Sequence, residues 1–260
     1  MIAACLKWVT EATGDDRFAV MSAADQSALE LALRHGALLG QPVTAITLGP
    51  PSADAALSEA IACGADRGVR IDAPTSHDSV DVARLLATEL REATYVWCGD
   101  YSSDRGTGSV PAFLAAALGL AQALGCLRVD LAAAAVTATR RLDGGRREVL
   151  SLAGGGVISV EGATASLRRA SLSALLRREA VAVVTSGHRG AVPTPTVTAY
   201  RPRPRVLPAP VGEHPLDRLR RLTEATSAGR HGLTVELAPV EAAERIMAQL
   251  IEWGYVDEAR

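Results

Sequence analysis

Apolar and polar positions alternate along the first half of the chain in blocks whose spacing switches between strand-like and helix-like. Ile2 to Val9 is an apolar run interrupted only by Lys7, which predicts a buried strand with a polar residue near its C-terminal end. Ser22 to Leu39 sets Ala28, Leu29, Ala32, Leu33 and Leu38 at helical spacing, with Leu31 off that face and Ser22 and Asp25 as cap candidates. Val43 to Leu48 is a second strand closed by Gly49-Pro50-Pro51, and Ala53 to Cys63 a helix ending at Gly64. Val69 to Ile71, Val80 to Leu90 and Tyr95 to Cys98 repeat the cycle as strand, helix and strand.

Strands alternating with helices of these lengths imply right-handed crossovers and an open, mostly parallel sheet, hence an α/β fold. Ligands of such sheets sit in the crevice beyond the strand C-termini, and Lys7, Gly49 and the 99–108 loop all fall there. After Gly125 the pattern turns to β. Leu127 to Leu131, Val136 to Arg140 and Arg147 to Leu152 are strands, with a hairpin turn at Asp143-Gly144-Gly145 and a further buried strand at Val157 to Val160. A short basic helix follows from Ser171 to Arg178. Residues 191–215 are rich in proline and carry Arg201, Arg203 and Arg205, a composition that suits an extended linker. Helical periodicity returns at Leu216 to Thr226 and Val240 to Trp253. The expected organisation is an α/β domain over 1–190, a linker over 191–215 and a C-terminal helical arm over 216–260. The arm is too small for a large core. It packs on the main domain or reaches over a partner, and the long proline-rich stretch favours the partner.

With 260 residues and 48% hydrophobic content the chain can bury a substantial core, and its 3% aromatic content suits helices packed on a parallel sheet. A formal charge of −2 gives no electrostatic case for nucleic acid or an anionic membrane. Cys5, Cys63, Cys98 and Cys126 lie inside apolar runs and are expected as buried thiols, with no metal cluster. No signal peptide and no run of about 20 apolar residues is present, so a cytoplasmic protein without a membrane span is expected.

The stretch 99–112 carries the candidate chemistry. Gly99, Gly106 and Gly108 let backbone approach a ligand; Ser102, Ser103, Asp104 and Thr107 set short polar side chains beside main-chain N–H groups; Pro111 fits the first turn of the following helix. The same residues also suit an ordinary β-to-α turn. No GxGxxG follows the first strand and no Walker lysine loop occurs. His35, His77, His188, His214 and His231 fall on expected helix surfaces or loops with no nucleophile elbow nearby, and Asp66-Arg67 reads as a local ion pair. Binding or carriage fits better than catalysis, so the chain is not expected to be an enzyme.

These pieces, in order, resemble the β subunit of electron transfer flavoproteins. The likeness is carried by KWVT at 7–10, DQSALELAL at 25–33, VTAITLGP at 43–50 and AIACGADRGVRI at 60–71. In the loop it is carried by Gly99, Ser102, Asp104, Gly108, Val110, Pro111 and Ala112, and beyond it by VISV at 157–160 and RRASL at 168–172. It extends over roughly residues 1–185. The resemblance implies an adenine-nucleotide-hydrolase-like (Rossmann-like) domain that pairs with an α subunit holding most of an FAD, while the β subunit buries a structural AMP. The AMP pocket would draw on Cys5, Lys7, Ser22, Asp25, Thr47 and Leu48, on Gly99, and on Ser102, Asp104, Arg105, Gly106, Thr107, Gly108, Ser109 and Val110. The partner-recognition loop would present Leu172 to a dehydrogenase, followed by Arg177 and Arg178. Leu172 read by itself also suits the core of a small helix.

The implied function is an electron carrier between a dehydrogenase and a quinone-linked acceptor; the alternative is a universal-stress-type nucleotide-binding regulator without flavin. Thr10, Ser22-Ala23-Ala24, Gly154-Gly155-Gly156, Leu167 and Arg169 depart from the family pattern. The loop lacks the Gly-Gln-Val pattern of bifurcating members, which favours AMP over FAD in this pocket. The proline-rich arm resembles the divergent branch encoded with mycofactocin systems.

Overall fold

In the computed structural model the chain opens on a four-residue strand, β1 (Ile2–Cys5). It stops short of the expected Val9 because the Lys7 N–H turns to the Asp25 carboxylate. Trp8–Val9 (β2) instead pairs antiparallel with Val20–Met21 (β3) in a separate two-stranded sheet. Helix α1 (Ala23–Leu39) follows; the Ser22 hydroxyl caps it by accepting the Asp25 N–H at 3.0 Å, and Gly40 closes it. The chain continues through β4 (Val43–Gly49), α2 (Asp54–Cys63), β5 (Arg67–Asp72), α3 (Ser79–Glu89), β6 (Tyr95–Gly99) and α4 (Val110–Leu118). Then come β7 (Gln122–Leu131), β8 (Ala135–Arg141), β9 (Arg147–Ala153), β10 (Gly156–Val160), the five-residue α5 (Leu172–Leu176) and β11 (Ala182–Thr185). The structure describes residues 1–9, 19–73, 78–102, 104, 106–176, 182–185, 199, 212, 214–224, 235–253 and 255.

Nine strands form one open sheet in the order β11-β5-β4-β1-β6-β10-β7-β8-β9. Pairing is parallel from β11 to β7 and antiparallel from β7 to β9, which makes this an α/β Rossmann-like fold with a β-meander at one edge. The chain runs outward from β1 through β4 to β5, then returns to place β6 on the other side of β1. Strand order therefore reverses between β1 and β6, and a crevice opens beyond their C-termini.

Alternation along the strands feeds two cores. Ala4, Ala45, Trp97 and Ile158 pack toward α1 and α2, while Ala3, Ile46, Val96 and Val157 pack with residues of α3 and α4. The expected one-sided apolar stripe of α1 is incomplete: Leu31 is buried as well, and Leu38 is exposed. The segment after β10 accounts for this. Ala165, Leu167 and Ala170 pack against the α1 core, the Ala165 N–H donates to the Ser27 hydroxyl, and Arg168 pairs with the buried Glu30. His35, expected on a helix surface, is buried against the rings of Tyr95 and Trp97, and burial holds its imidazole pKa below the usual value. Asp66 does not serve a local ion pair with Arg67; its carboxylate accepts the Val43 N–H at 2.7 Å and fixes the start of β4. Strand β11, which no periodicity announced, extends the sheet beyond β5.

The chain divides into two units, Met1–Thr194 and Pro195–Arg260. In the second, α6 (Pro215–Glu224) and α7 (Pro239–Glu252) are helical, with Val240, Ile246 and Met247 of α7 exposed. Most of the expected linker, 191–198 and 200–211, lies outside the described residues. Among the described residues no helix is long and apolar enough to cross a membrane.

Candidate functional site

A cavity occupies the crevice where the strand order reverses, walled by the ends of β1, β4 and β6 and the first turns of α1, α3 and α4. Its deep part is apolar: Ile46, Leu86 and Cys98 are buried, with Leu48, Val82 and Val110 beside them. Its outer part is polar, formed by Lys7, Ser79, Ser102, Thr107 and Ser109 with the exposed ring of Tyr101. An apolar slot opening onto hydroxyls, a cation and helix N-termini suits a flat heterocycle carrying an anionic group.

The loop after β6 obtains its shape from glycines at two close approaches. Gly108 has φ +57°, and a β-carbon there would stand 2.5 Å from the Asp100 carbonyl oxygen. At Gly99 a β-carbon would stand 2.5 Å from Asp25 Oδ1 and 3.0 Å from the Ala24 backbone. The loop is tied by its own hydroxyls: Ser109 Oγ donates to Thr107 Oγ1 at 3.2 Å, and Ser79 Oγ of α3 lies 3.4 Å from the same oxygen. The Ser22 hydroxyl donates to the Tyr101 carbonyl at 3.4 Å, so the cap of α1 also holds the loop. Lys7 Nζ reaches Asp104 Oδ2 at 2.5 Å across the opening.

Asp25 is not a cap but the buried carboxylate of the site. Burial raises its pKa from 3.8 to about 7, against the opposing pull of the Lys7 amide, the Ser22 hydroxyl, the Gly99 amide and the Lys7 charge. Near neutrality it exchanges between charged and neutral forms, so the charge on this buried side of the cavity varies with pH.

Ten expected residues line this cavity: Cys5, Lys7, Asp25, Leu48, Gly99, Ser102, Thr107, Gly108, Ser109 and Val110. Ser22, Asp104 and Gly106 shape its surroundings through the contacts above and a turn at Gly106 (φ +61°). Thr47 does not join them; alternation in β4 turns its buried side chain away from Ile46 and Leu48. Arg105 lies outside the described residues, as do Arg177 and Arg178, whereas Leu172 starts α5 with 71% of its surface exposed. The sequence reading does not include the apolar wall of Ile46, Val82 and Leu86, nor Leu6, Ser79, Cys98 and Tyr101. Strand parity gives Ile46 from Leu48, and a cap at Asp78 brings the start of α3 to the strand ends.

Comparison with known proteins gives a consistent picture. Residues 14–192 match the Electron transfer flavoprotein domain family. The chain is similar to Protein FixA of Bradyrhizobium diazoefficiens, 31% identical over 62% of this chain and 59% of the relative. It is similar to the Electron transfer flavoprotein subunit beta of Dictyostelium discoideum, 28% identical over 54% of this chain and 57% of the relative. Similarity extends to the Acryloyl-CoA reductase electron transfer subunit gamma of Anaerotignum propionicum, 32% identical over 40% of this chain and 42% of the relative. The match covers 59% and 61% of the length of two FixA relatives.

Proposed function

The chain belongs to the electron transfer flavoprotein family as a β-type member, and from that premise we propose that it is the β subunit of a heterodimeric carrier. It pairs with an α subunit in the cytoplasm, seats an AMP in the crevice beyond β1 and β6, and helps the α subunit hold FAD. The assembled pair takes electrons from a dehydrogenase and passes them to a quinone-linked acceptor. A proline-rich stretch followed by a helical arm supports a place in the divergent branch encoded with mycofactocin systems.

The observation that carries this reading is the cavity at the reversal of strand order. Its residues fit an adenylate: the slot of Ile46, Leu48, Val82 and Leu86 suits the purine. Lys7, Ser79, Thr107 and Ser109, with the N-terminal turns of α3 and α4, suit the phosphate. Gly99 and Gly108 keep that corner free of side chains. FAD, when bound in the pair, supplies the one- and two-electron chemistry. This chain's own work is to bind and orient: the Asp25 carboxylate fixes the Lys7 backbone, and Lys7, drawn to Asp104, is positioned to exchange that partner for an anion.

Co-expression with a candidate α subunit tests the reading. A yellow heterodimer that releases both FAD and AMP on heating is expected. A colourless homodimer that binds ATP would favour the nucleotide-binding regulator, and two FAD per heterodimer with no AMP would overturn the AMP assignment.

A further inference from the structure

Two of the four cysteines meet at the inner end of the cavity. Strands β1 and β6 pair in parallel with Cys5 in register with Cys98, so both side chains leave the same face of the sheet. Neighbouring strands lie about 4.8 Å apart, inside the roughly 4.4–6.8 Å between α-carbons that a disulfide spans. Both are free thiols. Both line the cavity, yet differently: Cys98 is buried and Cys5 is partly open. Cys63 and Cys126 lie elsewhere, at the end of α2 and in β7, and Cys63 donates to the Arg168 carbonyl.

We propose that Cys5 and Cys98 form an oxidisable dithiol, closing to an intrachain disulfide when a small two-electron oxidant such as a peroxide enters the cavity. The Cys5 sulfur attacks the peroxide oxygen, the O–O bond breaks, and Cys5 becomes a sulfenic acid as one water leaves. The Cys98 sulfur then displaces the hydroxyl from Cys5: an S–S bond forms, the S–O bond breaks, and the Cys98 proton departs with the hydroxyl as a second water. The two thiols together lose two electrons and two protons, and the peroxide is reduced to two waters. The order follows from access. Cys98 is covered, and the neighbouring Cys5 thiol, then burial, push its thiol pKa well above the usual range. Cys5 is the sulfur that a reagent in the cavity meets first.

A ligand seated in the cavity covers Cys5, so occupancy of the site and oxidation of the pair exclude one another; this second statement rests on the adenylate reading above. The test treats the full chain with hydrogen peroxide, then counts free thiols in denaturant and maps peptides without reduction. The expected result is the paired loss of two of the four thiols, a Cys5–Cys98 linked peptide lighter by two hydrogens, and recovery of both thiols with dithiothreitol. Cys63→Ser and Cys126→Ser variants still form the link. Cys98→Ser leaves a Cys5 sulfenic acid that dimedone traps. Oxidation of Cys5 to sulfinic acid with Cys98 still free, or a link between two chains, would overturn the proposal. Added AMP is expected to slow closure several-fold. Closure at an unchanged rate with AMP present supports the dithiol and counts against the adenylate.

Discussion

The Lys7 main-chain N–H donates to the Asp25 carboxylate at 3.1 Å, joining the chain just after β1 to the first turn of α1. The contact holds the corner of the cavity together around a carboxyl whose pKa is raised from 3.8 to about 7, chiefly by burial. The sign follows from proton linkage. Between those two values the folded state binds a proton that the unfolded state has released, so this group's contribution falls as pH rises and is flat above about 7. His35, with its lowered pKa, works in the opposite direction, losing stability as pH falls below 6.5. The difference between wild type and Asp25→Asn isolates the carboxyl. Wild-type stability relative to the variant should fall by up to about 1.4 kcal/mol per pH unit across that window. Urea melts from pH 4 to pH 8 measure it, and a flat difference would show that Asp25 titrates normally.

Gly99→Ala tests the same corner sterically. The new β-carbon would stand 2.5 Å from Asp25 Oδ1 and 3.0 Å from Ala24, where the helix backbone cannot yield as a flexible side chain would. A loss of about 1–3 kcal/mol is expected. Gly119→Ala is the control for strain alone, since it has φ +66° and open space around its β-carbon. Its cost should be smaller, about 1 kcal/mol, and equal melting temperatures for the two variants would remove the steric claim.

Much of this architecture was legible because strand and helix periods differ, and the parallel core from β1 to β6 keeps those periods cleanly. What escaped depended on distant chain. Leu31 lies off the apolar stripe that the α1 spacing predicts, but residues 164–170 return to cover that side of the helix, which no local pattern announces. Strands β2 and β3 have two residues each, too few to show alternation. Within the site, the loop residues were found through glycine and serine chemistry. Thr47, which the family resemblance implies for the pocket, is turned by strand alternation the other way from Leu48. The apolar wall went unnoticed because Ile46, Val82 and Leu86 look like any other core residues in sequence.

Glu30 and Arg168 are the contact by which that returning segment is held. The guanidinium donates to Glu30 at 2.9 and 3.2 Å and the Arg168 main-chain N–H at 3.1 Å, while Arg34 approaches from the next turn at 2.7 Å. Burial works to raise the Glu30 pKa, but Arg168 and Arg34 hold it below the usual range. Its contribution is therefore present at neutral pH and lost as pH falls through the folded pKa. Arg168→Ala leaves a buried carboxylate with fewer partners. Arg168 is 44% exposed, so solvent screening limits the cost to about 1–3 kcal/mol. In Glu30→Gln/Arg168→Ala the two losses should fall short of their sum, and additive losses would mean that the pair is uncoupled.

Leu172 is a large apolar side chain left 71% exposed at the first position of α5, directly after the segment anchored by Glu30. Its exposure separates two roles. As a core residue it would cost stability when truncated; as a contact for the proposed dehydrogenase it would cost only transfer. Leu172→Ala should change the melting free energy by no more than about 0.5 kcal/mol and leave flavin content intact. It should slow reduction by the dehydrogenase roughly tenfold, about 1.4 kcal/mol. Arg168→Ala should slow the same step less, by loosening the segment that precedes Leu172 rather than removing a contact. Stopped-flow reduction of the heterodimer at several dehydrogenase concentrations distinguishes the two. An effect that vanishes at saturating dehydrogenase belongs to docking, and unchanged kinetics in the Leu172 variant would move the contact elsewhere on the chain.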